Sequence, residues 1–248
     1  MKSISKILIW ILIAAWFVVI LGFISSESEQ VLCNRIEVVI SDTVQNGFVS
    51  HADIRKLLEN SDMQLQGYSM AEINTRNLER ELEKNPYVKN VEVSKDITGK
   101  LEVYVEQRRP LIRLMPRGKK GYYLDTEGSI LPLSDRFTPL ILLASGHIPA
   151  EGSSAKGFVE EIFEFSTYLA NHHFWRDQVV QIYVNQQGDY ELIPRVGAHQ
   201  ILMGSLEHWE VKLRNLELLY QQGLSAYGWN TYGKINLKYT NQVICTKR

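Results

Sequence analysis

Asn85-Pro86-Tyr87-Val88-Lys89-Asn90-Val91-Glu92-Val93-Ser94-Lys95-Asp96-Ile97-Thr98-Gly99-Lys100-Leu101-Glu102-Val103-Tyr104-Val105-Glu106-Gln107-Arg108-Arg109-Pro110 is the stretch on which the fold turns. Val88, Val91 and Val93, then Leu101, Val103 and Val105, form two apolar runs of strand character. Between them Asp96-Ile97-Thr98-Gly99 supplies turn chemistry, with a glycine that permits the reversal. The stretch reads as a β-hairpin.

Upstream, Ile36, Val38 and Ile40 alternate within Asn34 to Ile40, which predicts another strand. The period then changes. Ser50-His51-Ala52-Asp53 has the form of a helix N-cap box leading into Ile54, Leu57 and Leu58, and Ser69-Met70-Ala71-Glu72 has the same form ahead of Ile73, Leu78 and Leu82. Asn85-Pro86 stops the second helix. The order is βααββ, in which two helices cover one face of a three-stranded sheet and so bury a core.

Downstream, Gly121 to Leu133 places an Asp125-Thr126-Glu127-Gly128 turn between two short apolar strands. Phe158, Ile162, Phe165 and Leu169 share one helical face. Val180, Ile182 and Val184 alternate, Gln187-Gly188-Asp189 turns, and Tyr190, Leu192 and Ile193 begin the return strand. A second amphipathic helix is predicted from Leu206 through Trp209, Leu213, Leu216 and Leu219 to a terminating Gly223. A last strand is predicted from Ile235 to Cys245, with Ile235, Leu237, Tyr239, Val243 and Cys245 on one parity. The fold class is α+β: a βααββ domain over 33–108, then a mixed β-sheet domain with packed helices over 109–248.

Ahead of both domains, Ile7 to Ile24 contains no charged or polar side chain and no proline. Eighteen residues at about 1.5 Å each span roughly 27 Å, which predicts a transmembrane anchor over 7–26. Lys2 and Lys6 precede it while Glu27 and Glu29 follow, so a 1–6 tail is expected in the cytoplasm. Residues 27–32 then form a juxtamembrane linker, and everything beyond is exported. The run exceeds the apolar segment of a signal peptide, and no small-x-small cleavage site closes it.

The 248 residues carry a net charge of -1, which gives no electrostatic footprint for nucleic acid. Cys33 and Cys245 are the only cysteines, too few for a disulfide framework. HExxH, the G-x-S-x-G elbow, a phosphate loop and CxxC are all missing from the sequence. His172 and His173 are adjacent rather than at i, i+4, so metal ligation is not expected. Asp125 and Glu127 sit in a tight turn, where Asp bonds its own backbone and Glu is solvated. Phe163, Phe165, Tyr168, Phe174 and Trp175 could line a glycan groove, but helical spacing favours core. No catalytic, metal-binding or cofactor-binding residue is therefore assigned, and no cofactor or nucleic acid is expected.

Asn85-Pro86-Tyr87-Val88, Val91-Glu92-Val93 and Val105-Glu106-Gln107-Arg108-Arg109-Pro110 resemble the recurring stretches of a POTRA domain. One such unit after a single N-terminal span, with Gly121 to Leu133 and Phe137-Thr138-Pro139-Leu140 following, resembles the FtsQ/DivIB family. The resemblance implies a non-enzymatic divisome scaffold of the cytoplasmic membrane at the septum. Its extracytoplasmic domain would recruit division proteins, FtsB-like and FtsL-like ones among them. In that family the C-terminal strand accepts a partner strand, and Ile235-Asn236-Leu237-Lys238-Tyr239 aligns with its binding pattern, with Asn236 in place of an aspartate. The partner-binding residues so implied are Ile235, Leu237, Lys238, Tyr239, Asn241 and Val243. With three residues after it, the strand is expected at a sheet edge. The competing reading is a membrane-anchored, cell-wall-associated protein with glycan-binding or hydrolase activity.

Overall fold

The computed structural model describes residues 10, 12–19, 31–41, 47–60, 65–152 and 155–248. The anchor expected over 7–26, the 1–6 tail and most of the 27–32 linker lie outside the described residues, save for residues 10 and 12–19, which are helical. Among the described residues no helix is long and apolar enough to cross a membrane. Trp10, Trp16, Phe17 and Val18 are exposed. The chain divides into two compact units at Gln107/Arg108.

The first unit is the βααββ arrangement. Strand β1 (Arg35–Ile40) is followed by α1 (His51–Asn60), α2 (Thr75–Glu83), β2 (Val88–Lys95) and β3 (Lys100–Gln107). The sheet order is β1-β3-β2, with β1 parallel and β2 antiparallel to β3. Period-two alternation sends Leu101, Val103 and Val105 inward, all fully buried, and leaves Glu102 and Tyr104 exposed. Ile54 and Leu58 of α1 and Leu78 and Leu82 of α2 close the other side of that core, each Leu contributing about 1.5–3 kcal/mol by burial.

The two helix starts differ from each other. At α1 the capping box forms: Asp53 Oδ2 accepts from the Ser50 amide at 2.9 Å, and the Asp53 amide donates to Ser50 Oγ at 3.3 Å. At α2 the predicted box is displaced. The Met70 amide donates to Val31 O at 2.8 Å and Ser69 Oγ accepts from the Ala71 amide at 3.2 Å, so residues 69–72 form a turn. The actual cap is Asn74, whose Oδ1 accepts from the Asn77 amide at 3.2 Å. Gly99 makes the β2–β3 turn at φ +85°, a conformation that suits glycine.

The second unit holds a nine-stranded mixed sheet in the order β12-β11-β10-β9-β8-β7-β4-β5-β6. Its first strands are β4 (Pro110–Pro116), β5 (Tyr122–Asp125), β6 (Ile130–Pro132) and β7 (Leu142–Gly146). Helices α3 (Lys156–Asn171) and α4 (Trp175–Gln178) then carry the chain to β8 (Val179–Val184), which pairs parallel to β7. Strands β9 (Tyr190–Pro194) and β10 (Gln200–Gly204) follow. The parallel pair β10 and β11 (Tyr232–Asn236) is connected through α5 (Trp209–Leu218), as parallel strands require a crossover. The last strand, β12 (Ile244–Lys247), is antiparallel to β11. Phe165 and Leu169 of α3 and Leu213 and Leu216 of α5 pack with Ile112, Leu114, Ile182, Leu192, Ile201 and Ile235 in one core.

Two expectations are corrected. The α5 rod does not stop at Gly223 but continues through a π-helical segment (Leu219–Leu224) and a last turn (Ser225–Tyr227) to Gly228, whose φ of +96° ends it. Residues 235–245 are not one strand either. The Lys238 amide donates back to Asn236 Oδ1 at 2.9 Å, and the Asn215 side chain donates its Nδ2 to Thr240 O at 3.1 Å, so the chain leaves the sheet between β11 and β12. A strand was expected to stand uncovered at Ile235. Instead β12 pairs with it, Cys245 opposite Ile235.

Candidate functional site

The C-terminal hairpin forms one end of the large sheet. Its inner strand is anchored by sequence: Ile235 and Leu237 are fully buried, and the Leu237 amide donates to Leu202 O at 2.8 Å. These two residues therefore point into the core and cannot contact a partner through their side chains. The inward parity that suggested a half-buried strand stops at Leu237. Beyond it the chain turns, so Tyr239 is 56% exposed although its parity matches Ile235.

The remaining implied residues cluster in that turn. Lys238 is exposed and paired with Asp189, Asn241 is exposed, and Val243 is half-buried against the core. Of the six residues, Lys238, Tyr239 and Asn241 thus share an exposed loop beside β12. Three residues that pattern reading did not assign, Ile244, Thr246 and Lys247, are exposed on β12 itself. Asn236 and the Thr240-Asn241 pair are the turn formers that separate the two strands.

β12 is held by backbone contacts. It pairs with β11 from Asn236↔Ile244 to Tyr232↔Lys247, with an irregularity between Tyr232 and Lys234. The Arg248 amide donates to Thr231 O at 3.3 Å, and Arg248 Nη2 donates to Ala198 O at 2.6 Å. On its other side, no strand among the described residues pairs with β12. An unpaired strand edge offers amide donors and carbonyl acceptors to an extended peptide.

Behind the hairpin lies a buried polar pair. His199, just before β10, is buried, and its Nε2 lies 2.7 Å from Tyr220 Oη on the π-helical segment. Burial pushes the imidazole pKa down, the nearby Trp229 backbone opposes this, and the Arg248 charge adds to the lowering. The neutral ring is therefore the form that the fold accepts. Lys212 is also buried, with Nζ donating to Ser205 O at 2.7 Å and to Met203 O at 3.2 Å, and so ties α5 to the end of β10.

Other residues weighed for chemistry occupy structural positions. Asp125 is buried. Its Oδ1 accepts from the amides of Glu127 at 2.9 Å and Ser129 at 2.7 Å, and its Oδ2 lies 2.8 Å from Arg108 Nη1. Glu127 is solvated beside it. His172 and His173 stack on one another, ring centroids 4.9 Å apart. Phe165 and Trp175 are core, while Phe163, Tyr168 and Phe174 are only partly buried against it. Both cysteines are free thiols, Cys33 buried and Cys245 partly exposed. Among the described residues there is no group of three or more metal-ligating side chains.

Comparison with known proteins extends over both units. Residues 31–106 match the POTRA-like domain. Among curated proteins, the chain is 23% identical over 188 residues to a cell division protein FtsQ from Geotalea daltonii, covering 73% of this chain and 66% of that protein, just under two thirds of its length. It is 24% identical over 223 residues to another from Rhodothermus marinus, covering 87% of this chain and 78% of that protein. Residues 109–246, more than half of the sequence and all of the nine-stranded sheet but Lys247, match the family described as FtsQ/DivIB, C-terminal related. The chain belongs to the FtsQ/DivIB family.

Proposed function

We propose that this chain is a non-enzymatic cell division protein that links divisome components through strand addition at β12. Residues 7–26 anchor it in the cytoplasmic membrane with the N-terminus inside. The two units lie outside the cytoplasm at the division septum and recruit FtsB-like and FtsL-like partners. The observation that carries this reading is the position of β12: it terminates the large sheet and exposes Ile244, with Tyr239 exposed in the adjoining loop. The incoming strand gains main-chain hydrogen bonds from β12, and side-chain contacts at Tyr239 and Ile244 select it.

The site residues are accordingly reassigned within the same hairpin. Lys238, Tyr239, Asn241 and Val243 flank the incoming strand. Ile235 and Leu237 hold the hairpin in register from inside. The test is binding of the full chain to the extracytoplasmic segment of the FtsB-like protein from the same cell. Deleting residues 244–248 abolishes binding, and Tyr239→Ala weakens it at least several-fold while leaving the thermal transition in place. Unchanged binding by the deletion variant would place the interface elsewhere.

A further inference from the structure

The opposite, helical face of the second unit carries a groove of about 630 Å³ between α3 and α5, lined by Phe163, Glu164, Thr167, Tyr168, Asn171, His172 and Trp209. Its floor is aromatic. The Trp209 ring stands edge-on to Tyr168, centroids 4.5 Å apart, and is anchored from below by Phe165 at 5.6 Å. The rim is acidic. Glu164 lines it from α3, while Glu210 and Glu217, seven residues apart and hence on one side of α5, stand outside the lining, Glu210 next in sequence to Trp209 and Glu217 3.9 Å from His172. Burial, followed by the charges of Glu217 and Glu210, pushes the Tyr168 phenol pKa up.

Arg214, exposed on the same side of α5 four residues after Glu210 and three before Glu217, offsets one of these charges and leaves the carboxylates in excess. His172 Nε2 lies 3.9 Å from Glu217, and Lys156 lies 3.9 Å from Glu160, one turn before Glu164. Glu164 and Glu210 have no ion-pair partner among the described residues, and neither has Thr167 Oγ1, buried in the groove, a hydrogen-bond partner. An aromatic floor under unbalanced carboxylates attracts a cation twice, through the ring faces and through the charges. A planar guanidinium satisfies both, since it stacks on an indole while its N–H groups fork onto a carboxylate.

We propose that this groove is a second docking site, which receives an arginine side chain from a protein partner. It lies on the helices and not on the sheet edge, so it does not depend on strand addition at β12. Charge complementarity selects the occupant. A neutral glycan would leave Glu164 and Glu210 unanswered, and an anionic lipid surface would be repelled by them.

The test uses the full chain and three probes: a labelled twelve-residue helical peptide with arginines along one face, the same peptide with glutamates in their place, and a chitin trisaccharide. The arginine peptide is expected to bind, more weakly as salt rises. Glu164→Lys with Glu210→Lys weakens it at least tenfold and creates affinity for the glutamate peptide. Both substitutions are at exposed positions, so the thermal transition stays in place. Trp209→Phe, which keeps the charge, weakens the arginine peptide several-fold. The proposal is overturned if the arginine peptide fails to bind the wild-type chain, if it binds the lysine variant as tightly, or if only the trisaccharide binds.

Discussion

The two ends of the nine-stranded sheet are built differently. At one end, β6 is three residues long and finishes in Pro132, which has no N–H to offer. The turn before it is locked by the buried Asp125 carboxylate, which takes two backbone amides and the Arg108 guanidinium. At the other end, β12 is four residues long, has no proline and rests on backbone pairing plus the two Arg248 contacts. One edge is blunted and internally cross-linked; the other is a row of main-chain groups held in place from the inside. The contrast shows that the two edges of one sheet are managed individually, and under the proposed strand addition only the β12 end would meet a partner.

The largest expected effect breaks the locked end. Asp125→Ala removes the acceptor of two amides and leaves Arg108 without its buried partner, and it is expected to cost about 3–5 kcal/mol. Denaturant unfolding of the full chain measures this, and a loss below about 1 kcal/mol would mean that the turn holds without its carboxylate. Partner binding at β12, at the far end of the sheet, should persist in the folded fraction.

A smaller effect concerns the support behind the open end. His199→Phe leaves Tyr220 Oη without its imidazole partner and is expected to cost about 1–3 kcal/mol at pH 8. It should also remove a pH dependence. The folded-state imidazole pKa lies below the ordinary 6.5, so above that value both states are neutral and His199 contributes no pH dependence. As pH falls below 6.5 the unfolded chain takes up a proton that the folded ring resists, and stability drops until the folded pKa is passed. Melting temperatures of the wild-type chain and the variant between pH 8 and pH 5 should therefore converge towards the acid side. Parallel curves would assign the acid sensitivity to other groups.

The smallest expected effect on stability lies at the open end itself. Tyr239 is 56% exposed, so Tyr239→Ala should change unfolding free energy by no more than about 0.5 kcal/mol. A loss of several times that would make Tyr239 a folding residue and remove it from the binding argument.

How much of this was readable in advance differs along the chain. In the first unit local signals agree: Val91, Val93, Leu101, Val103 and Val105 alternate cleanly, and Asp96 to Gly99 supplies the turn. Ser69-x-x-Glu72 misled because the Met70 amide was already engaged by Val31 O, a pairing between distant segments that no local motif reveals. In the second unit β10 has only Ile201, Leu202 and Met203 between polar and glycine flanks, too short a run to read. The C-terminal hairpin looked like one strand because parity carried from Ile235 through Leu237 to Tyr239. The turn there is made by Asn236 and Thr240 without glycine. The helical groove was half legible: the spacing placed Phe165 in the core correctly, but the approach of α5 that leaves Tyr168 and Trp209 partly open is a tertiary fact.

Hydrogen exchange resolved to single amides, measured on the full chain with and without the extracytoplasmic segment of the proposed FtsB-like partner, tests strand addition most directly. The expected result is new protection in Ile244 to Lys247 on complex formation, since amides on the outer side of β12 exchange water for a partner carbonyl. Complex formation with no change over Ile244 to Lys247 and protection elsewhere would contradict it.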